Sequence, residues 1–186
     1  FKTYVNDLKR DAYLRISDEL YLKRLIVGGF DKVYEMSKDF RNESIDSTHN
    51  PEFTMIEFYE AYADYNDMMK LTQGIIINAN KTIGNKHEIT FLGNKINLKL
   101  PWKVMTMKEV IKKYSNIDVD KLNDKELFRL KDKYKLEHKS KLTRGCIIQL
   151  LFEHFAEPNL IQPIFIIEHP RETTPLCKGS RKNSDL

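Results

Sequence analysis

The stretch Phe40-Arg41-Asn42-Glu43, followed by Thr48-His49-Asn50-Pro51-Glu52-Phe53-Thr54, gathers an arginine, a carboxylate, a histidine and an aromatic around one turn. Backward from it, residues 33–41 read as a strand in which Glu35, Asp39 and Arg41 fall in phase, with Glu43 continuing the same phase. Forward, residues 53–62 are rich in strand formers, and period-two alternation puts Phe53, Met55, Glu57 and Tyr59 on one face. Polar and charged groups therefore share a face with aromatics. The pattern predicts two strands joined by a long polar loop and turned toward a polar cavity, a set of side chains suited to a nucleotide.

Each of these residues has a structural alternative. Arg41 offers planar donors and a permanent charge to a phosphate or carboxylate; the alternative is an ion pair with Glu43 or Glu57. Phe53 presents a flat face for a base, a contact worth roughly 1–3 kcal/mol, or else fills a core. Glu57 and Tyr59 together attract an ammonium group, unless Glu57 is spent on Arg41. Between Asn42 and Pro51 stand Ser44, Asp46, Ser47, Thr48 and Asn50, residues that bond their own backbone and form turns. His49 has no second His or Cys at ligand spacing, so no zinc site is expected.

Outward from this region, residues 17–27 predict a short helix with Glu19 in its first turn, stopped by Gly28-Gly29. Residues 66–80 predict an amphipathic helix whose methionines, Met68 and Met69, belong to its packing face. Residues 87–92 and 96–100 flank Gly93-Asn94 as a hairpin, taken to continue the sheet. Thr106 and Glu109 have capping-box spacing for a helix to about Tyr114, and further helices are expected over 124–134 and 142–155. The run 135–144, rich in Lys and His, reads as a solvated loop before it reads as a nucleic-acid contact.

With 186 residues and 41% hydrophobic content, the chain is long enough for one domain with a core. Thirty-one basic against 27 acidic residues, a formal charge of +4, permits a nucleic-acid partner without requiring one. Cys146 and Cys177 form no CxxC pair, which favours free thiols and a reducing, cytoplasmic location. No apolar run reaches the roughly 20 residues that span a bilayer, so no membrane partner is expected.

The string Gly28-Gly29-Phe30-Asp31-Lys32-Val33-Tyr34-Glu35, then Phe40 to Glu43, Ile45-Asp46, Thr48 to Thr54 and Glu57-Phe58-Tyr59, resembles the second signature motif of class II aminoacyl-tRNA synthetases, in the form carried by lysyl-tRNA synthetases. Residues 14–21 look like the helix start that supplies a carboxylate for the substrate amine. Phe165 to Pro170 and Thr174 to Lys178 look like a later strand and loop of the same catalytic domain. The likeness is closest over 1–66 and 160–178.

The resemblance implies an α+β fold: an antiparallel sheet with flanking helices, incomplete, with residues 1–186 part of a class II synthetase catalytic domain and a helical insertion at about 104–158. It implies lysine activation with ATP and transfer to tRNA(Lys), by a protein that is a homodimer when intact. Arg41 would bind the ATP α-phosphate and the lysine carboxylate, and Glu19 the α-amino group. Glu43 would lie near the adenine amino group or the tRNA end, His49 near the ATP phosphates, Asn50 in the loop around ATP and Phe53 on adenine. Glu57 and Tyr59 would face the lysine pocket. The family's first motif is expected before Phe1 and its third after Leu186, together with the acidic residues for Mg2+, so these residues alone are expected to be inactive. Ser44 stands where the family commonly has glycine. Two alternatives remain: a paralogue that lysylates a protein, and a non-catalytic synthetase-like binding protein.

Overall fold

The alternation on either side of the polar loop is realised as an antiparallel pair. In the computed structural model, which describes residues 1–84, 86–137, 142–180, 183 and 185–186, the chain divides into two units, Phe1–Met68 and Met69–Leu186. The first begins with a small antiparallel pair, β1 (Lys2–Val5) and β2 (Arg10–Tyr13). The sequence gives little sign of it, because both strands are largely exposed and lack apolar alternation. Helix α1 (Glu19–Val27) follows, buries Leu22, and ends as expected at the glycine pair: the Gly28 amide donates to the Arg24 carbonyl and Gly29 takes φ +101°.

Strands β3 (Lys32–Phe40) and β4 (Glu52–Glu60) run in register from Lys32 opposite Glu60 to Phe40 opposite Glu52. Beyond the ladder, the Arg41 amide donates to the Pro51 carbonyl at 2.9 Å and closes the mouth of the loop. Helix α1 packs on both strands. It covers the face carrying Val33, Glu35, Ser37 and Asp39 opposite Tyr59, Glu57, Met55 and Phe53, as contacts from Arg15 to Glu35 and from Asp18 to Ser37 show. The covered face thus carries Glu35, Asp39 and Glu57, while Tyr34 and Met36 point outward, are exposed and share their face with the Lys32–Glu60 and Lys38–Glu52 pairs. Helix α2 (Tyr65–Thr82) continues the chain, two residues longer at its C-terminal end than the spacing suggested.

The second unit holds most of the apolar core. Strands β5 (Glu88–Phe91) and β6 (Asn94–Asn97) form the expected hairpin, turning on Leu92 and Gly93, both at positive φ. The pair forms a two-stranded sheet of its own and does not continue the β3–β4 ladder, so that expectation is corrected. Strand β7 (Lys103–Thr106) leads into α3 (Met107–Ser115), whose start is the expected capping box between Thr106 and Glu109. Helix α4 (Asp124–Lys133) starts on a second box between Asn123 and Glu126. Helix α5 (Arg144–Leu151), capped by Thr143, passes into a π-helical turn over 152–156. Strand β8 (Ile164–Ile167) then pairs in parallel with β7, a connection that needs the helical crossover between them. Met107, Ile111, Leu127, Ile147 and Leu151 are fully buried in one cluster. Part of the basic run over 135–144 lies outside the described residues.

Three antiparallel pairs and one parallel pair make up the described β-structure, giving a mixed α and β fold rather than the single antiparallel sheet expected. Among the described residues each strand is paired with one partner, in four two-stranded sheets. Gly145 marks the tightest backbone approach in the second unit. Its amide donates to the Glu172 carboxylate at 3.3 Å, and an added Cβ would stand 2.3 Å from that carboxylate and 2.8 Å from the Pro170 Cβ. Gly145→Ala is expected to lower stability by about 1–3 kcal/mol, as overpacking does, with a matching fall in the urea midpoint. An unchanged midpoint would show that the turn at Arg171–Thr173 simply yields.

Candidate functional site

The polar face of β3–β4 holds its charges in three groups. Midway along the face, Arg15 donates to the Asp18 carboxylate at 2.6 Å and also bonds Glu35, while the Ser37 hydroxyl donates to the other Asp18 oxygen at 2.6 Å. Asp18 is fully buried. Its carboxyl is held below the usual range by the Ser37 hydrogen bond and then by Arg15, which together outweigh burial. Arg15 is pushed further up by Asp18 first and Glu35 second.

At the end where β3 begins, the Tyr59 hydroxyl donates to Glu57 at 2.5 Å. Burial, then the bond to Glu57, raises the Tyr59 phenol, and the charge of Glu19 adds to the effect. The second Glu57 oxygen is buried and has no hydrogen-bond partner among the described residues. Glu19 is paired with Lys23 one turn along α1, and the Lys23 ammonium lies 5.8 Å from the centre of the Tyr59 ring. An ammonium of the chain itself thus stands between Glu19 and Tyr59, which shows what kind of group this corner attracts.

At the far end, the Arg41 guanidinium lies over the Phe53 ring, 5.3 Å from its centre, and its Nε donates to the Ile16 carbonyl at 3.2 Å. The ion pairs with Glu43 or Glu57 weighed from the sequence are not what holds it. The loop is organised by Asp46, whose carboxylate accepts from the Thr48 amide at 2.7 Å, the Thr48 hydroxyl at 2.9 Å and the His49 amide at 2.9 Å, with His49 Nδ1 also at 2.9 Å. These contacts, the Thr48 amide foremost, pull the Asp46 carboxyl well below its ordinary range. Asn50 donates to the Glu52 carbonyl at 2.5 Å, and Glu43, His49 and Asn50 are all exposed. The structure thus brings Glu19, Glu57 and Tyr59 into one corner and Arg41 with Phe53 to the other end of the same face. Glu43, His49 and Asn50 stand on the loop outside it. No group of three or more His, Cys, Asp or Glu among the described residues could hold a metal ion.

Four members of this face escaped the sequence reading as functional groups: Arg15, Asp18, Ser37 and Asp39. Asp39 was in phase with the strand pattern, but nothing local shows that it is fully buried with both oxygens lacking a hydrogen-bond partner among the described residues. Nothing local marks Asp18 either, because its partner Ser37 lies 19 residues away.

Residues 1–186 match the model of the class II tRNA synthetases (D, K and N), and the chain belongs to that family. It is 49% identical to a lysine–tRNA ligase of Clostridium acetobutylicum, 47% to one of Methanoculleus marisnigri and 46% to one of Saccharolobus solfataricus, in each case over 100% of this chain. The chain spans 37% of the length of the first two relatives and 38% of the third. No helix among the described residues is long and apolar enough to cross a membrane.

Asp39 gives this face a pH dependence. Burial raises its carboxyl first, and the Asp18 charge adds to that, against smaller opposing effects of Arg15 and Arg41. A carboxyl raised on folding contributes stability that is fully present below its unfolded value of about 3.9 and is lost as pH rises through its folded value. Asp39→Asn removes that loss. The variant is expected to melt like the wild type at pH 4 and to be more stable at pH 8, by about 1–2 kcal/mol, the cost of a buried unpaired group. An equal difference at both pH values would show that the carboxyl is not the cause.

Proposed function

We propose that these residues form the lysine-activating part of a lysine–tRNA ligase catalytic domain. The observation that carries the reading is the buried second oxygen of Glu57, which has no donor of its own beside the Tyr59 hydroxyl. A buried carboxylate oxygen without a partner is costly unless a ligand supplies one, and an ammonium supplies both donor and charge. Family membership and the names of the relatives support the same conclusion.

On this reading Glu57 and Tyr59 receive the lysine side-chain ammonium, and Glu19 exchanges Lys23 for the substrate α-ammonium. Phe53 carries adenine, while the Arg41 guanidinium moves from the ring to the α-phosphate and the lysine carboxylate. Glu43 lies by the adenine amino group or the tRNA end, with His49 and Asn50 in the loop over the phosphates. A lysine carboxylate oxygen attacks the α-phosphorus, the bond to the bridging oxygen breaks, and pyrophosphate leaves with its electron pair. No protein base is needed, because the nucleophile is already ionised; orientation and charge stabilisation lower the barrier. The tRNA(Lys) terminal hydroxyl then takes the lysyl group from the adenylate and AMP departs. Magnesium supplies charge neutralisation to ATP when bound, but the described residues provide no cluster for it and no step is assigned to it here. Residues 1–186 would all belong to the catalytic domain, the helices between β7 and β8 would be an insertion in it, and the intact protein would be a cytoplasmic homodimer.

Lysine-dependent exchange of pyrophosphate into ATP by the complete protein tests the reading. Arg41→Ala is expected to slow exchange about 10²–10³-fold, the usual loss when a group that stabilises developing charge is removed. Glu57→Gln is expected to raise the KM for lysine about 10–100-fold, with the KM for ATP little changed. Exchange with no amino acid, or equally with all of them, would overturn the proposal.

A further inference from the structure

Asp18 is the N-terminal flanking residue of α1, the position at which an aspartate side chain ordinarily accepts from the first amides of its own helix. It makes no such cap. The Ser17 hydroxyl accepts from the Glu19 amide at 3.1 Å instead, and the Asp18 carbonyl takes the Tyr21 and Leu22 amides, each at 3.1 Å. The Asp18 carboxylate is turned away from its helix and spent wholly on Ser37 of β3 and on Arg15, which also grips Glu35 of β3. The backbone before it is fastened to the same strand: the Phe40 amide donates to the Arg15 carbonyl at 2.8 Å, and Arg41 Nε to the Ile16 carbonyl at 3.2 Å. Residues 15–18 are therefore fixed to β3 along its length, with Arg41 held at one end and Glu19 carried at the other.

We propose that Asp18 is a positioning residue for the amino-acid subsite: by clamping the start of α1 to Ser37 and Arg15, it fixes the Glu19 carboxylate relative to Arg41 and so sets the grip on the substrate α-ammonium. The inference rests on the role given to Glu19 above. A carboxylate that only completed the fold would affect stability and both substrates alike. One that orients Glu19 acts on lysine binding more than on the nucleotide end, because the loop from Asp46 to Asn50 is held by contacts of its own and Arg41 is gripped by the Ile16 backbone carbonyl, not by the Asp18 side chain.

Pyrophosphate exchange by the complete protein, with the lysine and ATP KM values measured separately, tests this. Asp18→Asn keeps the shape and removes the charge; it is expected to raise the lysine KM about tenfold and the ATP KM less than twofold, relative to wild type. Ser37→Ala, which leaves Arg15 in place, is expected to raise the lysine KM about threefold, and it reads the same split should Asp18→Asn not fold. In a double-mutant cycle, Asp18→Asn with Glu19→Gln is expected to be no worse for lysine than Glu19→Gln alone, since the first acts through the second. Parallel rises in both KM values, loss of stability with an unchanged lysine KM, or additive effects in the cycle would overturn the inference while leaving the synthetase reading intact. No lysine-dependent exchange by the wild type would overturn both.

Discussion

A carboxylate taken out of water must be met by donors or it gives up its charge, and Asp18 is met by two, the Arg15 guanidinium and the Ser37 hydroxyl. These bonds do more than satisfy one side chain. They join a helix start to a strand across 19 residues of chain, and the strand is in turn paired with β4 over nine residues from Lys32 to Phe40. Helix α1, the polar face of the ladder and the arginine at its end are thus connected through a single buried charge. Buried polar networks specify geometry only when each member is satisfied; here the members that are satisfied are those holding the frame, while Asp39 and the second oxygen of Glu57 have no partner among the described residues.

The two units rest on different physics. Residues 69–186 bury a cluster of aliphatic side chains from α3, α4 and α5, so apolar burial dominates there. Within 1–68, Leu22 is the sole fully apolar side chain that is buried among the described residues, and Asp18 and Asp39 are buried with it. Tyr34 and Met36 on the outer face of β3 are 73% and 65% exposed. The covered face sets Glu35, Asp39 and Glu57 among Val33, Met55, Phe53 and Tyr59, while the outer face pairs Lys32 with Glu60 and Lys38 with Glu52 beside Tyr34 and Met36. With so little apolar burial in this unit, the ladder and its hydrogen-bonded frame carry much of the holding.

The parts of this arrangement visible in the sequence are those that depend on short-range pattern. Alternation through Phe53, Met55, Glu57 and Tyr59 gave the strand and its polar face, Gly28-Gly29 the end of α1, Thr106 with Glu109 the start of α3. No periodicity could place the Arg41 guanidinium over Phe53 rather than beside an acid, and the family resemblance set substrate groups, not Phe53, against it. What stayed hidden depends on contacts between distant residues. The reach of Asp18 to Ser37, the desolvation of Asp39 and the parallel pairing of β7 with β8 across three helices all require knowing which elements meet. The hairpin over 88–97 was legible as a hairpin, but turn chemistry says nothing of which sheet it joins, and it joined none.

Glu57 is where charge and shape combine to suggest selectivity. One oxygen accepts from Tyr59, whose phenol burial keeps protonated, and the other is buried without a donor among the described residues. A single open acceptor matches a compact ammonium, which approaches as a point charge with rotatable donors. A guanidinium would present two parallel donors and need both oxygens to gain its bidentate advantage, and Tyr59 already occupies one of them. A neutral amide would leave the carboxylate charge without compensation in a half-buried place, and an aliphatic side chain would leave it with no donor at all. On the proposed reading, the Tyr59 hydroxyl therefore narrows the choice of side chain by withdrawing an acceptor as much as by shaping the pocket wall.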